Sequence, residues 1–193
     1  MGAKFEVYIR SKNYINIEDI QKILNINSIY CNIEEMIYMD NWEFDNCLNI
    51  RYDSKQMRKL IQSGKIIILY IILNDIHFAG IQCYKENDTN FITNFWIDTT
   101  NIVELDCDII NKKNKGIYDN ITHIICQNIQ QFEMYVIALG SEMYINDSGN
   151  IESVILNSSN VNRWIIIHEY NEEITGYTYE YNSEYNCRIY TKI

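Results

Sequence analysis

Residues of the kinds that catalyse reactions or bind metals are sparse in this chain. Its three histidines are His77, His123 and His168, and its six cysteines are Cys31, Cys47, Cys83, Cys107, Cys126 and Cys187. The cysteines are scattered with no Cys-x-x-Cys pair, so neither a zinc framework nor a redox motif is indicated. His123 and Cys126 stand three apart on the polar side of an expected helix, a spacing from which an imidazole can activate a thiolate. Nothing in the sequence orients that imidazole, and the plainer reading is an exposed histidine beside an incidental cysteine. His77 and His168 lie at or beside β runs, with Asp75 and Glu169 near them. Two histidines and two carboxylates make a metal site if their strands meet, although histidine at a strand end is more often structural. Asp98, Glu104, Asp106 and Asp108 form a base-free run after Trp96 that suits either an acid–base pair or, more commonly, a solvated loop. The sequence therefore assigns no catalytic residue, no metal ligand and no cofactor.

The seven glycines form neither a Gly-x-Gly-x-x-Gly nor a Walker pattern, which removes the usual phosphate-cradling loops. No Gly-x-Ser-x-Gly elbow, His-Glu-x-x-His pair or calcium loop occurs either. Chemistry of recognition is better represented. Tyr177, Tyr179 and Tyr181 alternate along one expected strand, with Tyr185 and Tyr190 on the next. Such tyrosines stabilise a hairpin by cross-strand packing, and they also make a contact surface, because tyrosine offers large area at low entropic cost. Glu172, Glu173, Glu180 and Glu184 flank or alternate with them, so the rings are expected in a negative field. A nucleic-acid surface needs lysine or arginine among the aromatics, which is the opposite sign.

Charge points the same way. The net charge is −10, from 26 acids against 16 bases. Such a chain repels nucleic acid and anionic membranes and attracts basic partners. Between Cys31 and Asp53 stand Glu34, Glu35, Asp40, Glu43, Asp45 and Asp53 against Arg51 alone. From Glu142 to Glu184 the only base is Arg163.

The elements that must carry these residues are built around Ile66 to Leu73, an apolar run without alternation, bounded by Lys65 and Asn74-Asp75. Such a run suits a central strand covered on both faces, and it is far short of the roughly 20 residues that span a bilayer. Before it, Phe5 to Arg10 reads as a strand and Ile17 to Ile26 as a helix, with Asn16 as N-cap and Glu18 and Asp19 in its first turn. Ile29 to Met39 and Cys47 to Tyr52 read as strands. Asp53 and Gln56 open a second helix that Gly64 closes. The order strand, helix, strand, strand, helix, strand makes the N-terminal half ferredoxin-like (βαββαβ) if its pairing is regular. His77 to Tyr84 and Phe91 to Ile97 extend the sheet as a meander. A weak helical stripe follows at Ile102, Leu105, Ile109 and Ile110, then a stronger helix after Asp119 with Ile121, Ile124, Ile125 and Ile129 on one face. The remainder reads as β: Met134 to Leu139, Val154 to Leu156, Trp164 to His168, Thr175 to Tyr181 and Tyr185 to Thr191.

The expected class is α+β, a mixed, mostly antiparallel sheet with about three to four helices and a β-rich C-terminal part, in one domain over 1–193. A division into sub-lobes 1–75 and 76–193 stays open. Hydrophobic content of 47% gives a packed globular chain rather than a disordered one. The 38 isoleucines, 25 asparagines and absent proline fit an AT-rich genome, so asparagine-rich stretches carry little meaning of their own. Met1 to Arg10 lacks the apolar core of a signal peptide, which with free thiols implies the cytoplasm. The function expected is that of an acidic protein-binding protein, an inhibitor of a basic partner such as a bacterial toxin or nuclease domain, in the manner of an immunity protein. Its partner-binding residues are Glu34, Glu35, Asp40, Glu43 and Asp45, with Glu172, Glu173, Tyr177, Tyr179, Glu180, Tyr181 and Glu184; nucleic acid and membrane are not expected partners. The alternatives are an enzyme whose site gathers Asp98, His77, His123 or His168, and a structural subunit that self-associates through a sheet edge. Oligomeric state is not fixed by the sequence.

Overall fold

The computed structural model describes residues 3–74, 76–146, 149–167, 170 and 172–193. The chain is α+β and rich in strand. It divides into two compact units, residues 11–97 and residues 98–193 together with residues 1–10.

The first unit holds α1 (Ile17–Ile26), β2 (Cys31–Met39), β3 (Leu48–Ile50), α2 (Ser54–Gln62), β4 (Ile66–Leu73), β5 (Ile76–Asn87) and β6 (Asn90–Asp98). Both helices start where their caps place them: Asn16 Oδ1 accepts from the Glu18 N–H and Asp53 Oδ1 from the Gln56 N–H at 2.7 Å. Gly64, at φ +85°, takes the left-handed turn that leads α2 into β4. Strand order is β3-β2-β4-β5-β6, every pair antiparallel. In a ferredoxin-like sheet the fourth strand pairs with the first. Here β4 lies between β2 and β5, because the short turn after Leu73 lets β5 fold straight back onto it. The strand expected at Cys47 to Tyr52 is only three residues long.

Ile67, Leu69 and Ile71 of β4 point to the side of Ile81 and Cys83 on β5. This is the helix side: Tyr14 and Tyr52, which lead into α1 and α2, are the electrostatic neighbours of Cys83. Met57, Ile61, Ile17 and Ile20 supply the helices' buried residues there. On the other side, Ile66 and Ile68 pack with Met39, Ile37 and Tyr84, all of them strand residues. The central run is thus buried on both faces from Ile66 to Leu69, as its composition requires, whereas Tyr70 is 37% exposed.

The second unit contains β1 (Lys4–Ser11), two 3-10 turns at Thr99–Asn101 and Val103–Leu105, α3 (Lys115–Asn128), β7 (Met134–Tyr144), α4 (Ile151–Leu156), β8 (Ser159–Ile167), β9 (Tyr177–Asn182) and β10 (Cys187–Lys192). Its strand order is β1-β7-β8-β10-β9. Three sequence expectations change here. The stripe from Ile102 to Ile110 is not an α-helix: Asp98 caps the first 3-10 turn through the Thr100 N–H, and Ile109 faces solvent. The Val154 to Leu156 run is α4 rather than a strand, since Asn150 Oδ1 caps the Ser153 N–H at 2.9 Å and so short an apolar run carries no period of its own. α3 starts earlier than expected and presents Tyr118, Thr122, Ile125 and Cys126 to the core. Buried Asn114 sets that start, accepting from the Asn111 N–H and donating to the Ile109 carbonyl.

A β-bulge decides what α3 packs against. Leu139 pairs with Arg163 and Gly140 with Val161, so Asn162 is an extra residue in β8. Asn162 and Arg163 both reach α3: Asn162 Nδ2 donates to Tyr118 Oη at 2.9 Å, and Arg163 Nη1 donates to Asp119 Oδ1 and Thr122 Oγ1, each at 2.9 Å. The charge sealed into this core therefore has its own carboxylate.

Candidate functional site

The acidic segment that stands out in the sequence becomes β2, a tight loop and β3. Asn41 organises the loop, its Oδ1 accepting from the Glu43 and Asp45 N–H groups and its Nδ2 donating to Asp45 Oδ2 at 2.9 Å. Asp40 is held from both sides, by Lys65 and by Asn46. Those two hydrogen bonds keep the Asp40 carboxyl below the usual carboxylate range. Within this frame Phe44 sits at φ +64°, an uncommon conformation for so bulky a residue. Its side chain is 62% exposed, and that of Trp42 is 50% exposed while meeting Tyr84 edge-on at 5.3 Å. Asp40 and Asp45 thus hold the loop, while Glu43 and the two rings are presented by it.

Beside the loop lies the sheet face that carries no helix. A second β-bulge shapes it: Ile33 pairs with Ile71 and Glu35 with Tyr70, leaving Glu34 as the extra residue of β2. In an unbroken register Glu34 would oppose Tyr70, and Glu35 would oppose Leu69 and point under the helices. With the bulge, Glu35 stands beside Tyr70 and Met36 fills the core at 0% exposure. The row continues across the sheet as Tyr70, Gly80 and Trp96. A Cβ at Gly80 would fall 2.4 Å from the Trp96 ring, so the indole occupies the space that a side chain there would need. The Tyr70 and Trp96 rings meet edge-on at 5.9 Å. By alternation Phe78, 67% exposed, joins this face. Among the described residues, neither Glu34 nor Glu43 has an ion-pair partner.

The C-terminal tyrosines lie in the other unit, on edge strand β9 and on β10. Tyr177, Tyr179 and Tyr181 share one face, and their cross-strand partners there are Lys192, Tyr190 and Arg188. Arg188 lies over the Tyr179 ring at 5.3 Å, and Tyr179 and Tyr190 have their centroids 5.6 Å apart. Tyr177 donates to the Val161 carbonyl, Tyr190 to the Glu172 carbonyl, and Tyr181 to Asn186 Oδ1. Glu180 pairs with Ile189 on the opposite face, so the charges interleaved with these rings are cationic rather than acidic. A cavity of about 300 Å³ beside them is lined by Glu173, Ile174, Thr175, Gly176, Tyr177 and Tyr179. Glu184 sits in the β9–β10 turn, its N–H donating to Asn182 Oδ1.

Compared with known protein families, with curated proteins and with solved structures, the chain matches none.

Three buried thiols, Cys31, Cys83 and Cys126, are held in the protonated form. Burial pushes Cys31 up to about 11 and Cys83 up to about 12. Cys126 is buried rather than on the polar side of α3, and a hydrogen bond with Cys187 together with burial raises its pKa. His123 points elsewhere, its Nε2 3.0 Å from Gln127 Nε2. Of the metal constellation suggested by sequence, Asp75, His168 and Glu169 lie outside the described residues and His77 stands in β5. Among the described residues no group of three or more His, Cys, Asp or Glu is placed to hold a metal ion. Asp98 is a cap, and Glu104 lies in a 3-10 turn. No helix of the described residues is long and apolar enough to cross a membrane.

The residues that sequence reasoning missed are Trp42, Phe44, Tyr70, Phe78, Gly80 and Trp96. One signal for them existed: Tyr70 is the single hydroxyl-bearing residue in the apolar run Ile66 to Leu73.

Proposed function

We propose that this chain is a cytoplasmic protein-binding protein that captures and inhibits a basic partner, as an immunity protein does with a bacterial toxin. One observation carries the reading: the helix-free sheet face of residues 11–97 shows half-exposed aromatic rings beside carboxylates that the fold leaves unpaired. Partially exposed tryptophan, tyrosine and phenylalanine are the usual anchors of protein interfaces, and unpaired surrounding charge steers a partner of opposite sign. The net charge of −10 extends that steering beyond the face. Glu34, Glu35 and Glu43 are the steering groups, Trp42 and Phe44 the apolar contacts, and Asp40 and Asp45 the groups that hold the loop.

The test is capture by the tagged full-length chain from its native lysate at low and moderate salt, followed by assay of the captured protein. A single stoichiometric basic protein whose activity falls when this chain is added supports the reading. A captured protein whose activity is unaffected, or no capture at either salt, contradicts it.

A further inference from the structure

We infer that the helix-free face of residues 11–97 seats an arginine side chain of its basic partner, with the guanidinium stacked on Tyr70 and bridged to Glu34 and Glu35. This rests on the proposed function and adds the chemistry that the partner must present.

The geometry of the row is the argument. The bulge at Glu34 brings two carboxylates beside the exposed Tyr70 ring, and Trp96 fixes that ring from its far side with an edge-on contact at 5.9 Å. Gly80, between them in the row, is where the Trp96 indole lies against the sheet. Glu35 is itself oriented, accepting from Asn49 Nδ2. A planar cation with several donors matches a ring flanked by carboxylates, since it stacks on the ring and hydrogen-bonds a carboxylate from its edge. An ammonium satisfies the charge but not the stack.

The chain shows the completed form of this arrangement elsewhere. In the other unit Arg10 lies over Tyr135, Arg163 over Tyr118 and Arg188 over Tyr179, at 5.6, 5.9 and 5.3 Å from the ring centres. Arg163 also reaches a carboxylate, Asp119. Around Tyr70 the ring and the carboxylates are present, and no arginine or lysine of the described residues lies over it. The strands of this sheet contain one lysine and no arginine: Lys85, which falls on the helix side by alternation and pairs with Asp88 at 2.8 Å. The face is therefore complementary to an incoming cation.

An NMR titration of the ¹⁵N-labelled full chain tests this, with octa-arginine, octa-lysine and an uncharged Gly-Ser octapeptide as probes. Octa-arginine is expected to shift the Glu34, Glu35 and Tyr70 amides and the Trp96 indole, while the indole of Trp164, 1% exposed in the other unit, stays fixed. Tyr70→Ala is expected to weaken octa-arginine roughly threefold to fivefold, to change octa-lysine little, and Tyr70→Phe to restore the wild-type value. Octa-arginine binding that ignores Tyr70→Ala and a Glu34→Gln/Glu35→Gln pair overturns this site and leaves the affinity for a basic partner standing. No binding by either cationic peptide overturns that affinity and this site with it.

Discussion

The two units treat the same pairing of groups in opposite ways. In residues 98–193 with 1–10, the guanidinium of Arg163 is sealed into the core, and the fold provides its carboxylate, Asp119, its hydroxyl, Thr122, and its ring, Tyr118. In residues 11–97 the ring and carboxylates of the helix-free face stand at the surface, and no arginine or lysine of the described residues lies over the ring. Each arrangement depends on a β-bulge, at Asn162 in one unit and at Glu34 in the other. One bulge turns polar side chains inward, where Asn162 and Arg163 hydrogen-bond to α3. The other keeps two carboxylates outward, where Glu35 accepts from Asn49 and neither has an ion-pair partner among the described residues. Carboxylates without an ion-pair partner beside half-exposed rings are what the proposed capture of a basic partner requires of this face.

The comparison breaks most readily at Asp119. Asp119→Ala leaves a buried guanidinium without its counter-ion; the loss is expected at about 2 kcal/mol, below that of a fully buried pair because the Asp119 side chain is 42% exposed. Urea denaturation measures it, and a change under about 0.5 kcal/mol would remove the claim that this charge is satisfied internally. Gly80→Ala comes next. The new Cβ meets the Trp96 ring at 2.4 Å, so the indole must move, at an expected cost of about 1 to 2 kcal/mol. Trp96 fluorescence should shift with it, and an unchanged spectrum would show that the ring does not depend on that space.

Acid titration sharpens the contrast further. Burial pushes the Asp119 carboxyl up, but hydrogen bonds from Lys115 and Arg163 outweigh this and lower its pKa; Asp40 is lowered by Lys65 and Asn46. A carboxyl whose folded pKa is depressed contributes its full stabilisation above its unfolded pKa, about 4, and loses it as pH falls through the folded value. Thermal melts should therefore show no loss from these two groups between about pH 7 and 5 and a decline below about pH 4. The Asp119→Asn/Asp40→Asn pair should flatten that decline, and an equally steep acid limb in the double variant would refute the assignment. The smallest stability effect belongs to the open face: Glu34→Lys with Glu43→Lys should change unfolding free energy by less than about 0.5 kcal/mol. A larger destabilisation would mean that these carboxylates have a structural role after all.

Much of the frame is legible in the sequence. The apolar run Ile66 to Leu73 reads as a strand and is one, covered on both faces from Ile66 to Leu69, and Asn16 and Asp53 cap helices because a side-chain acceptor before an apolar period leaves few other options. Local chemistry of that kind needs no tertiary information. What escaped the sequence depends on cross-strand register. The pairing of β4 with β2 follows from which turn is tightest, the inward direction of Asn162 from a bulge, and the helical state of Val154 to Leu156 from a cap at Asn150. The site divides likewise. Its acids are visible as a cluster, whereas its platform joins Tyr70, Gly80 and Trp96, residues of three strands that only the register brings into one row. At the C-terminal hairpin the register has the reverse effect, setting Arg188 and Lys192 rather than Glu180 among the tyrosines.

The central claim is that the carboxylates of the helix-free face bind a basic partner. Its most direct test is the association rate of the captured partner with the wild-type chain and with the Glu34→Lys/Glu43→Lys variant, measured at low and moderate salt. The account predicts that wild-type association is fast and strongly salt-dependent, and that the variant associates about tenfold or more slowly at low salt with a flattened salt dependence and an unchanged melting temperature. Equal rates and equal salt dependence for the two proteins would contradict it.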